Sequence, residues 1–444
     1  MSARKTYTFF VDHPGLFKQQ WQEYMSTKDY VVALDSNEHT GPYHTYDFLG
    51  AAGGSRVLKV PVGNAFEQLD AWVQEEKDWM FGYLSYDLKN ELEQLDSKST
   101  NELEVSGLEF FIPESVWQLQ QHQLSVLALH AGQNEVQQIL DAIIATPVTT
   151  HDYPNQQASI HGLENRDSYI QHTQQFLKHI ALGDMYEANY CTPFQANDVE
   201  LHPLQCYKDL NAISTPPFAA YAKLGPLHVI SASPERYLKK QGDKLITQPI
   251  KGTARRSHEV EEDNQLKSDL LADPKERSEN VMIVDLVRND LSRTAQKGTV
   301  QVEELFGIYS FKQVHQMIST VVSRMKSELS PVQALTTTFP MGSMTGAPKI
   351  SAMKIIEQNE VFYRGVYSGA VGYFTPQGDF DFNVIIRTIL YHEELKKLTF
   401  AVGSAITIAA QPEKEYDECL LKARALFEVL EKQGIHYADR PYES

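Results

Sequence analysis

Lys251 stands between Pro249-Ile250 and Gly252-Thr253, and Arg255 and Arg256 follow it. A short apolar run, Leu245-Ile246, leads in. Pro249 has no N–H to give to a sheet ladder, so a strand must stop or lie at an edge there. Gly252 lets backbone approach a ligand closely. An amine fixed at a strand end beside two cations is expected to have a lowered pKa and a free electron pair, the state of a lysine nucleophile. The same residue type is also an ordinary solvated loop lysine. Glu235, in Ser233-Pro234-Glu235-Arg236-Tyr237, precedes Lys251 across an expected hairpin turning at Gln241-Gly242-Asp243. Such a hairpin brings its far ends together. A carboxylic acid beside a lysine nucleophile can protonate a departing hydroxyl. Pairing of Glu235 with Arg236 or a lysine is the plainer alternative.

Two further segments carry glutamates three apart: Glu276/Glu279 and Glu415/Glu418. Oxygen ligands from few side chains, completed by water, suit Mg²⁺. Glu276 also has a structural role open to it. Asp273-Pro274-Lys275-Glu276 has an N-cap, a proline for the first turn and the glutamate of a capping box. Glu418 and Lys422 have the spacing of a surface helix pair. Arg387 lies among apolar residues, and a carboxylate gripped bidentately would supply the anion it needs. The loop Gly342-Ser343-Met344-Thr345-Gly346-Ala347-Pro348-Lys349 lacks the Gly-Lys-Ser/Thr of a phosphate loop, but the free N–H groups of the helix start that follows attract anions. His315 sits on an apolar segment, where a histidine is usually a satisfied core residue.

These residues require particular elements. Tyr30–Ser36 and Trp79–Asp87 read as strands. Arg166–Gly183 and Glu413–Gln433 read as helices, the second with a stripe of Tyr416, Cys419, Leu420, Ala423, Phe427 and Leu430. Val281-Met282-Ile283-Val284 and Leu286-Val287 are apolar nearly all round, which predicts a buried helix. Gly365–Phe374 reads as a glycine-punctuated strand. Phe382–Thr388 reads as another, with Arg387 on one face. A boundary is expected near residues 146–157, dividing a 1–150 subdomain from a 151–444 catalytic domain. The net charge of −18 disfavours nucleic acid and anionic membranes. No apolar run is long enough to span a bilayer. Three cysteines out of metal spacing suggest a reducing, cytoplasmic setting.

Several motifs together resemble the chorismate-utilising enzymes, the family of anthranilate synthase component I. They are Pro249-Ile250-Lys251-Gly252-Thr253, Lys275-Glu276…Glu279…Met282…Val284-Asp285-Leu286…Arg288-Asn289-Asp290-Leu291, the Gly342–Lys349 loop and Glu415…Glu418…Lys422. The likeness is dense over about 165–435 and looser before 150. It implies an α/β (α+β) fold, a large, mainly antiparallel β-sandwich with helices outside. With Lys rather than Ala at 251, the loop resembles the aminodeoxychorismate synthase branch. That branch aminates chorismate at C4, toward 4-aminobenzoate and folate, using ammonia from a glutamine amidotransferase partner. The resemblance implies Lys251 as covalent nucleophile, Glu235 as acid and His315 as a proton-transfer or orienting group. It implies Mg²⁺ on Glu279 and Glu418, with Glu276 and Glu415 outside them. Gly252, Thr253, Ser343, Tyr367, Arg387, Gly403, Ser404, Ala405 and Lys422 would contact substrate, 403–405 as a glycine-rich loop. Two positions depart from the pattern: Glu187, where Gln is usual and water-adding relatives have Lys, and Ala405, where Gly is usual. Leu34-Asp35-Ser36 stands where regulated anthranilate synthases carry a tryptophan-site motif. The rivals are anthranilate synthase component I, which has alanine in place of Lys251, and a non-catalytic chorismate-binding regulatory paralogue, which would lack one of the reactive residues.

Overall fold

The computed structural model describes residues 4–438 apart from Gln94 and Gln313. The last six residues of the expected catalytic domain therefore lie outside the described residues. One long strand, Leu108–Gln120, belongs to two runs of antiparallel pairing. The first passes through Phe48–Val60, Tyr30–Asp35, Phe218–Leu224, Leu227–Ser233, Thr388–His392, Lys397–Thr407 and Glu187–Ala196. The second passes through Met80–Leu84, Ala370–Phe374, Phe380–Val384, Arg236–Gln241, Lys244–Gln248 and Val314–Arg324. Strands from before and after residue 150 are thus neighbours in one sheet. The short strand Ile435–Tyr437 pairs in parallel with Ala158–Gly162.

Alternation along the strands gives the sheet two faces. Val32, Ala51, Ala222 and Val229 share a core with Phe81, Phe110, Phe374 and Phe382 from the second run, as in a sandwich. Their neighbours Val31, Ala33, Tyr221 and Ile230 face the other way, onto Trp21, Tyr169, Leu210 and Leu426 of outer helices. Each large apolar side chain buried this way contributes about 1.5–3 kcal/mol. The fold is the mixed, mainly antiparallel architecture that the motifs imply.

Local structure departs from expectation at three places near the site. The strand expected from Gly365 begins only at Ala370, because Gly365 (φ 58°) and Ser368 (φ 62°) turn the chain. The strand expected over 382–388 breaks between Val384 and Thr388, where Arg387 takes a left-handed φ of 53°. The helix Pro274–Ser292 is buried along one side only. Val281 is 42% exposed, and Asp285 pairs with Arg288 at the surface at 2.7 Å.

Candidate active site

The hairpin Arg236–Gln241/Lys244–Gln248 forms with its turn at Gly242, φ 61°. Arg236 stands opposite Gln248, so Glu235 and Lys251 are brought together at the open end. Lys251 lies on the strand Ile250–Arg255, laid against Val314–Arg324.

The charge around Lys251 is opposite to the expected one. Arg255 turns to Glu262 and Arg256 to Asp263. The Lys251 ammonium instead contacts the Glu187 carboxylate, and both side chains are nearly buried. Burial pushes the lysine pKa down, but Glu187, Glu279 and Glu235 outweigh it and leave it raised. In the free protein Lys251 is therefore a protonated amine, not the neutral nucleophile predicted from its arginine neighbours. Burial lifts the Glu235 carboxyl to about 7, against smaller lowering contributions from Ser343 and Lys251. It can thus hold a proton near neutral pH, as an acid catalyst must. The Ser343 hydroxyl beside it is buried and makes no hydrogen bond of good geometry.

The two glutamate pairs converge. Lys275 feels Glu279, Glu415, Glu276 and Glu418 together. Burial lifts Glu279 to about 7, and its Oε1 is buried without a hydrogen-bond partner. Asp273 caps the helix, accepting from the N–H groups of Lys275 and Glu276 at 2.8 and 3.1 Å. The Asp273 N–H is bonded to Leu270 rather than to Glu276, so no reciprocal capping box ties down that carboxylate. Burial also raises Glu415. For Glu418, burial is outweighed by Lys422 at 2.7 Å, and its pKa is lowered. Among the described residues no three His, Cys, Asp or Glu side chains stand close enough to hold a metal alone. A buried carboxylate oxygen with no hydrogen bond and only the Lys275 ammonium 3.8 Å away, amid paired glutamates, fits Mg²⁺, which takes one or two carboxylates and keeps water.

Gly252, φ 95°, packs against this cluster. A Cβ there would meet Glu276 Oε2 at 3.1 Å, so the glycine lets the lysine loop lie on the glutamate helix. Thr253 beside it is exposed. Within electrostatic reach of Glu418 lies Arg387, whose guanidinium has no hydrogen bond or ion pair among the described residues. Burial lowers its pKa, against opposing effects of Glu418 and Tyr367. The Tyr367 hydroxyl reaches Cys191 Sγ at 3.7 Å, from a turn rather than a strand.

Residues 403–405 are not a loop but the middle of the strand Lys397–Thr407. Gly403 and Ala405 share its partly open face. Ser404 is buried on the other face, 3.0 Å from the Tyr169 hydroxyl. A Cβ at Gly403 would lie 2.8 Å from Cys191 Sγ. Lys422 bonds the Gly403 carbonyl at 2.8 Å, tying the helix Pro412–Lys432 to that strand.

His315 is fully buried with both ring nitrogens engaged, one with Asp263 and one with Ser310, each at 2.9 Å. It is placed to steady the lysine loop through Asp263 and Arg256, and has no free nitrogen for a substrate here. Lys349 turns inward to Asp290. Asp35 is paired with Lys18 at 2.8 Å, beside a cavity of about 80 Å³ that Leu34, Asp35 and Ser36 help line. Sequence reasoning missed two partners, Glu187 for Lys251 and Asp263 for His315. Glu187 stood out only as a departure from a motif, and nothing local marks Asp263.

The chain matches the family model for chorismate binding enzyme over residues 18–428. It is 40% identical over 268 residues to an aminodeoxychorismate synthase of Streptomyces griseus, covering 60% of this chain and 37% of that protein. It is 31% identical over 361 residues to an aminodeoxychorismate synthase component 1 of Bacillus subtilis, covering 79% and 76%. An anthranilate synthase component 1 of Thermus thermophilus is 31% identical over 400 residues, covering 87% and 86%. The chain spans about a third of the length of the Streptomyces griseus protein and of aminodeoxychorismate synthases from Arabidopsis thaliana and Oryza sativa. In fold it is similar to the crystal structure of anthranilate synthase component I from Streptococcus pneumoniae. The TM-score is 0.74 at 24% identity, over 87% of this chain and 95% of that one. Among the described residues no helix is long and apolar enough to cross a membrane. The chain belongs to the chorismate-binding enzyme family.

Proposed function

We propose that this chain is the chorismate-aminating component of an aminodeoxychorismate synthase, making 4-amino-4-deoxychorismate from chorismate and ammonia. The observation that carries the reading is the placement of Lys251. An amine lies buried beside a carboxyl, Glu235, that holds its proton up to about pH 7. Arg387, with Tyr367 near it, takes the enolpyruvyl carboxylate, since a buried guanidinium without a partner is matched by a bidentate anion. The ring carboxylate lies toward the glutamates, near Gly252, Thr253 and Lys422. A magnesium ion on Glu279 and Glu418, its water steadied by Glu276 and Glu415, would supply positive charge for that carboxylate. Ser343 lies by the ring near Glu235, and Gly403 and Ala405 line the enolpyruvyl side.

Lys251 attacks C2, the ring double bonds shift, and the C4–O bond breaks with the Glu235 proton on the departing oxygen. Lys251 sheds one proton in attacking, which restores the one Glu235 gave up. Ammonia then bonds to C4, the double bonds shift back, and the C2–Nζ bond breaks. His315 acts as a positioning group for the loop. Ammonia comes from a glutamine amidotransferase component, so the purified chain is expected to use ammonium but not glutamine. The test is product identity with chorismate, Mg²⁺ and ammonium. 4-Amino-4-deoxychorismate is expected, and anthranilate would overturn the assignment in favour of the anthranilate synthase reading.

A further inference from the structure

We propose that Ser319 and Asn280 form a positioning pin, which fixes the Lys251 strand against the helix carrying Glu276 and Glu279. This rests on the amination reading above. Both residues are fully buried. Ser319 lies in the middle of Val314–Arg324, a strand with a bulge on each flank. On one side Ile250 pairs with Ile318 and Thr253 with Gln316, so Lys251 and Gly252 together face Met317. On the other side runs the strand Gln301–Ser310. There Glu304 pairs with Thr320 and Gly307 with Ile318, so Leu305 and Phe306 together face Ser319. Two residues set against one break the alternation of a strand and re-aim its side chains. The first bulge does this to Lys251.

Ser319 closes both bulges. Its N–H donates to the Pro249 carbonyl at 3.2 Å, just ahead of the lysine. Its Oγ accepts from the Phe306 N–H at 3.1 Å. Phe306 has a φ of 62°, a backbone state that a bulky residue rarely adopts and that its surroundings must hold. The Ser319 hydroxyl proton goes to Asn280 Oδ1 at 2.6 Å. Asn280 adjoins Glu279 on Pro274–Ser292, and its Nδ2 has no hydrogen-bond partner, so its side chain is spent on Ser319. The Arg277 guanidinium, next to Glu276, lies over the Phe306 ring at 4.8 Å. Two bulges and the glutamate helix thus meet at one hydroxyl. Shifting any of the three would break a buried hydrogen bond, which is costly. Chemistry between an amine on one element and carboxylates on another needs them held to within about 0.5 Å.

The experiment measures amination kinetics with chorismate, Mg²⁺ and ammonium in wild type, Ser319→Ala, Asn280→Ala, the double variant and Ser319→Cys. Ser319→Ala should lower kcat about 10- to 100-fold, the scale of a misplacement near 1 Å. The KM for chorismate should stay within about threefold, since the groups that grip the substrate are untouched. The rate at which chorismate alone adds to Lys251, followed by intact mass, should fall as well. Asn280→Ala should act likewise, and the double variant should be no slower than the slower single one, because both cut the same bond. Ser319→Cys, a weaker donor and acceptor, should recover part of the rate. Wild-type kcat in Ser319→Ala overturns the pin. So does a rise in KM as large as the fall in kcat, the mark of a generally loosened site, and so do losses that multiply in the double variant. If Ser319→Ala does not fold, Asn280→Ala and Ser319→Cys decide by the same measures. Wild type that yields no 4-amino product contradicts the parent reading and this one together. Normal product with kcat unaltered in the variants contradicts this one alone.

Discussion

Buried charge occurs in two kinds of surroundings in this protein. Lys349 is bonded to Asp290 at 2.5 Å and to the carbonyls of Thr338 and Pro340 at 2.9 Å each. Arg364 binds both oxygens of Glu360 and the carbonyls of Met344 and Asn189. Both cations are matched within the protein and tie the site's walls together. Arg387, by contrast, has no partner among the described residues, and Glu279 Oε1, buried without a hydrogen bond, has only the Lys275 ammonium 3.8 Å away. The contrast separates charges that hold the fold from charges that await a ligand. Between the two lies the Lys251–Glu187 pair, matched at rest but with an amine the chemistry must release.

The sharpest way to break this contrast is to truncate one member of each kind. Arg364→Ala leaves Glu360 buried without its cation and should cost about 3–5 kcal/mol of folding free energy in urea denaturation. If Arg364→Ala costs no more than Arg387→Ala, the distinction fails.

The next effect is pH-dependent. The Glu235 carboxyl titrates near 4.5 when exposed and near 7 when folded. Between those values the folded state holds more protons, so this residue's contribution to stability falls as pH rises through that window. Glu235→Gln should therefore be more stable than wild type at pH 8 by up to ~3 kcal/mol, while amination falls about 10²- to 10⁴-fold. Equal denaturation midpoints for the two proteins at pH 8 would remove the raised pKa from the account.

Arg387→Ala removes a buried charge without a partner, so it should not lower stability, but it should weaken chorismate binding by about 2–3 kcal/mol. Calorimetric titration with chorismate and Mg²⁺ measures it, and unaltered affinity would place the enolpyruvyl group elsewhere. Ser343→Ala is the smallest change. Removing a hydroxyl that makes no hydrogen bond of good geometry should leave stability within about 0.5 kcal/mol, and a larger loss would show that its contact with Glu235 holds the fold.

Much of the arrangement was readable in the residues. The Gln241-Gly242-Asp243 turn dictates the hairpin that joins Glu235 to Lys251, and Asp273-Pro274 dictates where the Glu276/Glu279 helix starts. Helical spacing set Glu279 one turn from Glu276 and Lys422 one turn from Glu418. What stayed hidden depends on long-range contact. Neither the reach of Glu187 to a lysine 64 residues on, nor the turning of Arg255 and Arg256 toward a neighbouring helix, has a local signature. The break at Arg387 was hidden too, because alternation of apolar residues continues through it while the backbone does not.

The central claim is that the Lys251 amine directs nitrogen to C4 of chorismate, and one variant measures it. With chorismate, Mg²⁺ and ammonium, Lys251→Ala should retain the fold and lose formation of 4-amino-4-deoxychorismate by about 10⁴-fold or more, as expected when a covalent nucleophile is removed. Formation of that product by Lys251→Ala at the wild-type rate would contradict the account.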